Sequence, residues 1–213
     1  MITRYINDHV VSWTDTGDSR GGMRSYAIAN AGETVWIDPV DPGADLDKVL
    51  VLGLPQHVVV TVGFHDRDVL ALAKRYGAQV WVPEGGTRWL PGADHAYGDG
   101  ARLPAVLQAM RIAGGSMGCS VLHGTMEGVA IAFFGDSVAC LEKGKSPWFM
   151  RIMFQQAAGI FQHHRFFFGG HKRTALASLQ RLRELNLGIA FVTHGEPVIG
   201  YAAEYLAESL ASW

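Results

Sequence analysis

The apolar positions of this chain follow two rhythms, and they change places along it. "HVVVTV", from His57 to Val62, is an unbroken apolar run of the kind found in a strand covered on both faces. It leads into "RDVLALAKRYG", where Val69, Leu72, Ala73 and Tyr76 share one face of a helix and Gly77 suits its C-terminal cap. "AQVWVPEG" is the next strand, which makes a β-α-β unit with a right-handed crossover expected. Upstream, "MRSYAIANAGETVWIDP" reads as a hairpin: Tyr26, Ile28, Val35 and Ile37 are strand formers and "NAGE" supplies the turn. "ADLDKVLVLGL" is a short helix or turn.

The second half opens differently. "AVLQAMRIAG", "CSVLHG" and "VAIAFFGD" are consecutive strands, with "TMEG" turning between the last two, and such a meander pairs antiparallel. "SPWFMRIMFQQAAGIFQHH" is apolar and reads as helical. "TALASLQRLRELN" is an amphipathic helix with Leu176, Leu179, Leu182 and Leu185 in one stripe; "GIAFVTHGEPV" is a last strand and "AAEYLAESLASW" a closing helix. Strand clusters flanked by helices in this order predict two mixed sheets packed face to face with helices outside. The polar residues Asp38, His65 to Asp68, Asp136 and His194 stand at strand ends, where a cleft forms.

Composition narrows the classes. With 213 residues, 48% hydrophobic and 18% charged, the chain suits one globular domain over 1–213, and neither repeat nor linker interrupts it. A net charge of -2 gives no electrostatic case for nucleic acid. No stretch reaches the ~18 apolar residues of a membrane span, and "MITRYINDHVVSW" lacks the apolar region of a secretion signal, so a cytoplasmic protein is expected. Cys119 and Cys140 form no metal-ligand pair and are expected as buried thiols, with a disulfide between them as the alternative. There is no G-x-S-x-G elbow, and Ser116 has no evident base beside it.

Five landmarks in order give the chain a family likeness. "VWIDP", "VVVTVGFHDRD", "AGGSMGCS", "AFFGDS" and "VTHGEP" resemble the strand ending in Asp, the T-H-x-H-x-D-H loop, the G-H-T-x-G-S loop, the strand ending in a bridging Asp, and the late G-H-G-x-P loop of the metallo-β-lactamase superfamily. The resemblance runs from about Tyr26 to about Leu206. It implies an αββα four-layer sandwich of two mixed β-sheets flanked by helices, a hydrolase-like protein, and a site at the shared sheet edge.

Carried over position by position, the resemblance describes a degenerate metal site. The family's first two histidines fall on Val62 and Phe64, the aspartate on Asp66, the histidine after it on Arg67, the next histidine on Gly115, the bridging aspartate on Asp136 and the last histidine on His194. Val62, Phe64 and Gly115 offer no side-chain lone pair, so the usual dinuclear zinc site is expected to be lost. In one reading a single divalent metal (zinc, manganese, iron or magnesium) remains on Asp66, Asp136 and His194, with His65 swung in, and serves a hydrolase. In the other, no cofactor binds and Arg67 supplies the positive charge between converging carboxylates that would otherwise repel. The second is preferred, because a permanent cation at a ligand position repels a metal. The polar cleft of His65, Asp66, Arg67, Asp136 and His194 then takes a small-molecule ligand or substrate.

Plainer roles compete with these. Asp66 or Asp68 is expected to cap the following helix. His65 also reads as a packed loop residue, and His194 as a satisfied loop histidine. His163, His164 and His171 have no partner cluster and read as solvated. The apolar segment 147–161, rich in Met and Phe, reads as core, as a pocket wall, or as the interface of a homodimer in a non-catalytic scaffold.

Overall fold

The computed structural model describes residues 2–14, 23–114, 118–140, 158–160 and 172–211. Its first half begins with β1 (Ile2–Tyr5) and β2 (Val10–Thr14), followed by β3 (Arg24–Asn30) and β4 (Glu33–Ile37). Then come α1 (Leu46–Val49), β5 (His57–Val59), α2 (Val69–Tyr76), β6 (Gln79–Pro83) and β7 (His95–Tyr97). These strands form a seven-stranded sheet in sequence order, antiparallel through β4 and parallel from β4 to β7. The "NAGE" hairpin forms as expected. Ala31 and Gly32 carry φ of 51° and 82°, the left-handed pair that a two-residue turn needs between twisted strands.

The second half contains β8 (Arg102–Leu103), β9 (Leu107–Arg111), β10 (Ser120–Met126), β11 (Val129–Phe133), β12 (Val138–Cys140), β13 (Ala158–Ile160), α3 (Lys172–Gln180), β14 (Ile189–Phe191), β15 (Val198–Ile199) and α4 (Ala202–Ala211). Among the described residues, a six-stranded sheet runs β15-β14-β11-β10-β9-β8, and β12 pairs with β13 separately. The β9-β10-β11 meander is antiparallel, while β14 joins β11 in parallel.

Alternation along the strands separates three apolar layers. Between the sheets lie Tyr26, Ile28, Val35, Ile37 and Val59 from the first and Leu107, Leu122, Ile131, Phe133 and Phe191 from the second. Phe133 stacks on Phe191 at 4.8 Å, and the Tyr26 hydroxyl crosses the layer to donate to the Val192 carbonyl at 2.6 Å. Outside the first sheet, Trp13, Trp36, Val58 and Val60 pack against Val49 of α1 and Val69, Leu72 and Ala73 of α2. Outside the second, Val121, Phe134 and Val192 meet Leu179, Leu182, Leu206 and Leu210. The result is the αββα four-layer sandwich of two mixed sheets that the family resemblance implies. Among the described residues, no helix is long and apolar enough to cross a membrane.

Several local expectations need correcting. The start of the chain forms the β1–β2 hairpin, which the pattern reading passed over. The leucine stripe from Thr174 continues past Gln180 as a 3-10 turn over Arg181–Leu185 rather than as one α-helix. Most of segment 147–161, with its homodimer expectation, lies outside the described residues, as do Gly115, Ser116, His163, His164 and His171. Within that segment Ala158–Ile160 is a strand, not a helix, because it pairs with β12. Asp68 stands at the start of α2 but makes no side-chain cap bond. Its carboxylate instead accepts the Asp41 backbone N–H at 2.9 Å, tying the loop after β4 to the loop after β5. Gly77 does cap the helix, at φ 69°.

Candidate functional site

The polar residues converge beyond the C-terminal ends of β4, β5, β11 and β14. Asp38 directly follows β4. Its backbone N–H donates to the Val59 carbonyl at 3.0 Å, and the residue then turns out of the strand at φ 46°. Asp tolerates this left-handed conformation better than most residues. One carboxylate oxygen accepts the Thr61 backbone N–H at 2.8 Å, and the other accepts the Thr61 hydroxyl. Asp38 is therefore locked to the strand beside it before any ion pair is made.

The β5 strand then breaks into a turn in which the His65 N–H donates to the Val62 carbonyl at 3.0 Å. That turn swings the His65 ring between two carboxylates. Nδ1 lies 3.1 Å from Asp38 Oδ2, and Nε2 lies 3.2 Å from Asp136 Oδ1. The ring nitrogens sit at ion-pair distance rather than in good hydrogen-bond alignment, so charge dominates the contact. Phe64 packs edge-on against the ring at 5.0 Å. Asp136 Oδ1 is shared with a second imidazole, His194 Nε2, also at 3.2 Å. The array Asp38–His65–Asp136–His194 thus alternates acid and base. It is buried throughout, with Asp38 3%, His65 2%, Asp136 6% and His194 7% exposed.

Burial by itself opposes charge on His65 and on Asp136, yet the neighbours outweigh it. His65 is held back by desolvation, but the charges of Asp38 and then Asp136 raise its pKa to about 10. Burial pushes the Asp136 carboxyl up, while His65 above all, with His194, holds it well below the usual carboxylate range. At neutral pH the centre of the array is an imidazolium between carboxylates.

The His194 turn is held from both sides. Arg24, 5% exposed, takes the Thr193 carbonyl with its backbone N–H at 2.8 Å and the Gly195 carbonyl with Nε at 3.1 Å. Its guanidinium also reaches Ser12 Oγ and Glu196 Oε1. Cys140 N–H donates to the His194 carbonyl at 3.0 Å. Cys119 is buried with Sγ 2.9 Å from Ser137 Oγ, and burial pushes its thiol up to about 12, so it is no nucleophile at neutral pH. Both cysteines are free thiols, Cys119 buried and Cys140 partly so.

The structure brings His65, Asp136 and His194 together and leaves Asp66 outside them. Asp66 is exposed, and the cation between the carboxylates is His65 rather than Arg67, which is partly buried beside it. The reason is local: the turn closed by the Val62 carbonyl directs residue 65 inward and leaves 66 facing solvent. The carboxylate opposite Asp136 is Asp38, which sequence reasoning noted at a strand end but left out of the site. Val62 is buried in the outer apolar layer with Met110, Phe134 and Val138, and Phe64 packs against the same layer. Among the described residues, no group of three or more His, Cys, Asp or Glu side chains is arranged to hold a metal ion.

Gly135 explains how the two halves of the array approach so closely. It has φ 48°, and a Cβ there would lie 2.3 Å from Thr61 Oγ1. Gly135→Ala is expected to cost about 2–3 kcal/mol, by displacing the hydroxyl that holds Asp38 and by straining a left-handed residue. Urea unfolding checks this; a loss within the ordinary surface range of about 0.5 kcal/mol would contradict it.

Solved structures share this architecture. A metallo-β-lactamase from Pontibacter korlensis superposes with a TM-score of 0.67 at 14% identity, covering 100% of this chain and 99% of that one. DIM-1 metallo-β-lactamase exposed to ceftazidime gives 0.69 at 13% identity, covering 100% and 96%. A mutant flavo di-iron protein from Thermotoga maritima gives 0.70 at 14% identity, covering 99% of this chain and 62% of that one. No protein-family profile matches the sequence, and no curated protein is similar to it by sequence. The likeness establishes the metallo-β-lactamase fold.

Proposed function

We propose that this chain is a hydrolase-like protein of metallo-β-lactamase fold in which a protonated histidine has replaced the metal centre. It keeps a polar cleft for a small-molecule ligand or substrate. The observation that carries the reading is the His65 ring seated between Asp38 and Asp136 at the converging strand ends. An imidazolium has a proton on each nitrogen and no lone pair to give a metal. It also neutralises carboxylates that would otherwise demand a cation.

The donor set does not fit the metal centre that the fold family implies. Val62 and Phe64 stand at two histidine positions and face apolar packing, Arg67 stands at a third, and Asp136 is already shared by two imidazoles. A single-metal hydrolase on Asp66, Asp136 and His194 would require exposed Asp66 to turn inward. The scaffold alternative rests on segment 147–161.

What remains is acid-base chemistry by the chain itself. His194 is the least buried member of the array, and Asp136 orients its imidazole, as a carboxylate orients a general base.

Metal analysis of protein purified without chelators tests the reading. The expected result is well below one equivalent of any transition metal, with a melting temperature unchanged by added zinc or manganese. One tightly bound equivalent that disappears in Asp136→Ala would overturn it.

A further inference from the structure

The opposite edge of the sandwich carries a recess of about 330 Å³, at the low end of small-molecule sites. Gln108 and His123 are directly paired across β9 and β10, and Thr125 follows on the same face of β10. Leu185 and Leu187, from the segment entering β14, form an apolar wall.

The rim shows why this is more than an uncovered corner. Ala105 and Val106 have φ of 57° and 60° in succession, a costly conformation for any non-glycine and most of all for a β-branched residue. The first sheet clamps them there. Glu33 Oε2 accepts the Ala105 N–H at 2.6 Å, and Asn30 Nδ2 donates to the Ala105 carbonyl at 2.9 Å. The turn presses onto β10 at Gly124, where a Cβ would lie 3.1 Å from the Val106 carbonyl oxygen. The strain leaves Val106 64% exposed at the rim of the recess, where it contributes little to the core.

The polar lining selects the occupant. Among the described residues, no carboxylate lines the recess. Burial, with the nearby Arg181 charge, holds the His123 imidazole below its ordinary value, so it offers an N–H while neutral. Among the described residues, neither the His123 ring nor the Thr125 hydroxyl has a hydrogen-bond partner. Two donors on one strand face and against an apolar wall, with the Arg181 guanidinium nearby in its ion pair with Asp99, suit an anionic head on a compact apolar body. We propose that this recess binds a small carboxylate, with Thr125 and His123 on the carboxylate and Val106, Leu185 and Leu187 on its apolar part.

Benzoate is the probe. The full chain with labelled histidine rings is titrated by NMR, the His123 signal being identified by its loss in His123→Gln. Benzoate is expected to shift that signal saturably, with a Kd of about 1 mM or tighter, while neutral benzamide binds at least about tenfold more weakly. Thr125→Val keeps an exposed strand position and a good strand former, and is expected to weaken benzoate about tenfold. Absence of a saturable shift, equal affinity for benzamide, or unchanged affinity in folded Thr125→Val would each overturn the assignment.

Discussion

His65→Ala is expected to lower the unfolding free energy by about 3–5 kcal/mol, which makes it the most damaging polar substitution in the protein. The loss is not that of a hydrogen bond. It comes from leaving Asp38 and Asp136 buried at the ends of an emptied space, with no counter-charge between them. One carboxyl must then take up a proton or draw in water, and either costs free energy in a site so little exposed. The double variant His65→Ala, Asp136→Asn is expected to recover part of the loss, because it removes one of the two opposed charges. Urea unfolding of the wild type, the single and the double variant measures this. A single-variant loss below about 1 kcal/mol would mean that His65 is not the counter-ion.

The second large effect is on pH dependence. His65 has its folded-state pKa raised from 6.5 to about 10, so its contribution is fully present below 6.5 and is lost as pH rises towards 10. Each pH unit in that interval removes about 1.4 kcal/mol, on the order of 3 kcal/mol between pH 6.5 and pH 9. Asp136 acts in the other direction. Its folded-state pKa lies well below 3.8, so its contribution is present above 3.8 and is lost as pH falls through the lower folded value. Stability should therefore be greatest from about pH 4 to 6.5 and fall on both sides. Denaturant midpoints measured across this range check the shape. In His65→Gln the alkaline slope should flatten; the same slope in that variant would assign the effect to another group.

The layers of the fold were legible because their signals are short-range. "HVVVTV" is apolar throughout because both faces of β5 are covered: Val59 faces the layer between the sheets, while Val58 and Val60 face the α2 layer. The "NAGE" turn needed only two residues able to adopt positive φ. The β1–β2 hairpin escaped notice because β1 is an edge strand with its residues only partly buried, so "ITRY" has no clean alternation. Asp at a helix start is usually a cap, which is why Asp66 or Asp68 is expected to be one; the partner of the Asp68 carboxylate, Asp41, belongs to another loop.

The site was legible in part. Asp136 and His194 follow from strand ends and from a family likeness in their flanking residues. The choice between His65 and Arg67 did not follow. The two cations are separated only by Asp66 in "FHDRD", and composition says nothing about which of them turns inward. The turn from Val62 to His65 decided it, together with the packing of Val62 and Phe64 against the outer layer, which leaves the intervening backbone little freedom.

By itself, the sequence determined most of the succession of strands and helices from Arg24 onward, the four-layer order, and the absence of side-chain ligands at Val62 and Phe64. These depend on residue type and on neighbours a few positions away. Only the tertiary structure decided that Asp38 faces His65, that Asp136 is shared by His65 and His194, and that Asp66 stays outside. Those contacts join the ends of strands far apart in the chain, and their geometry is set by sheet register and turn conformation, which no local pattern encodes.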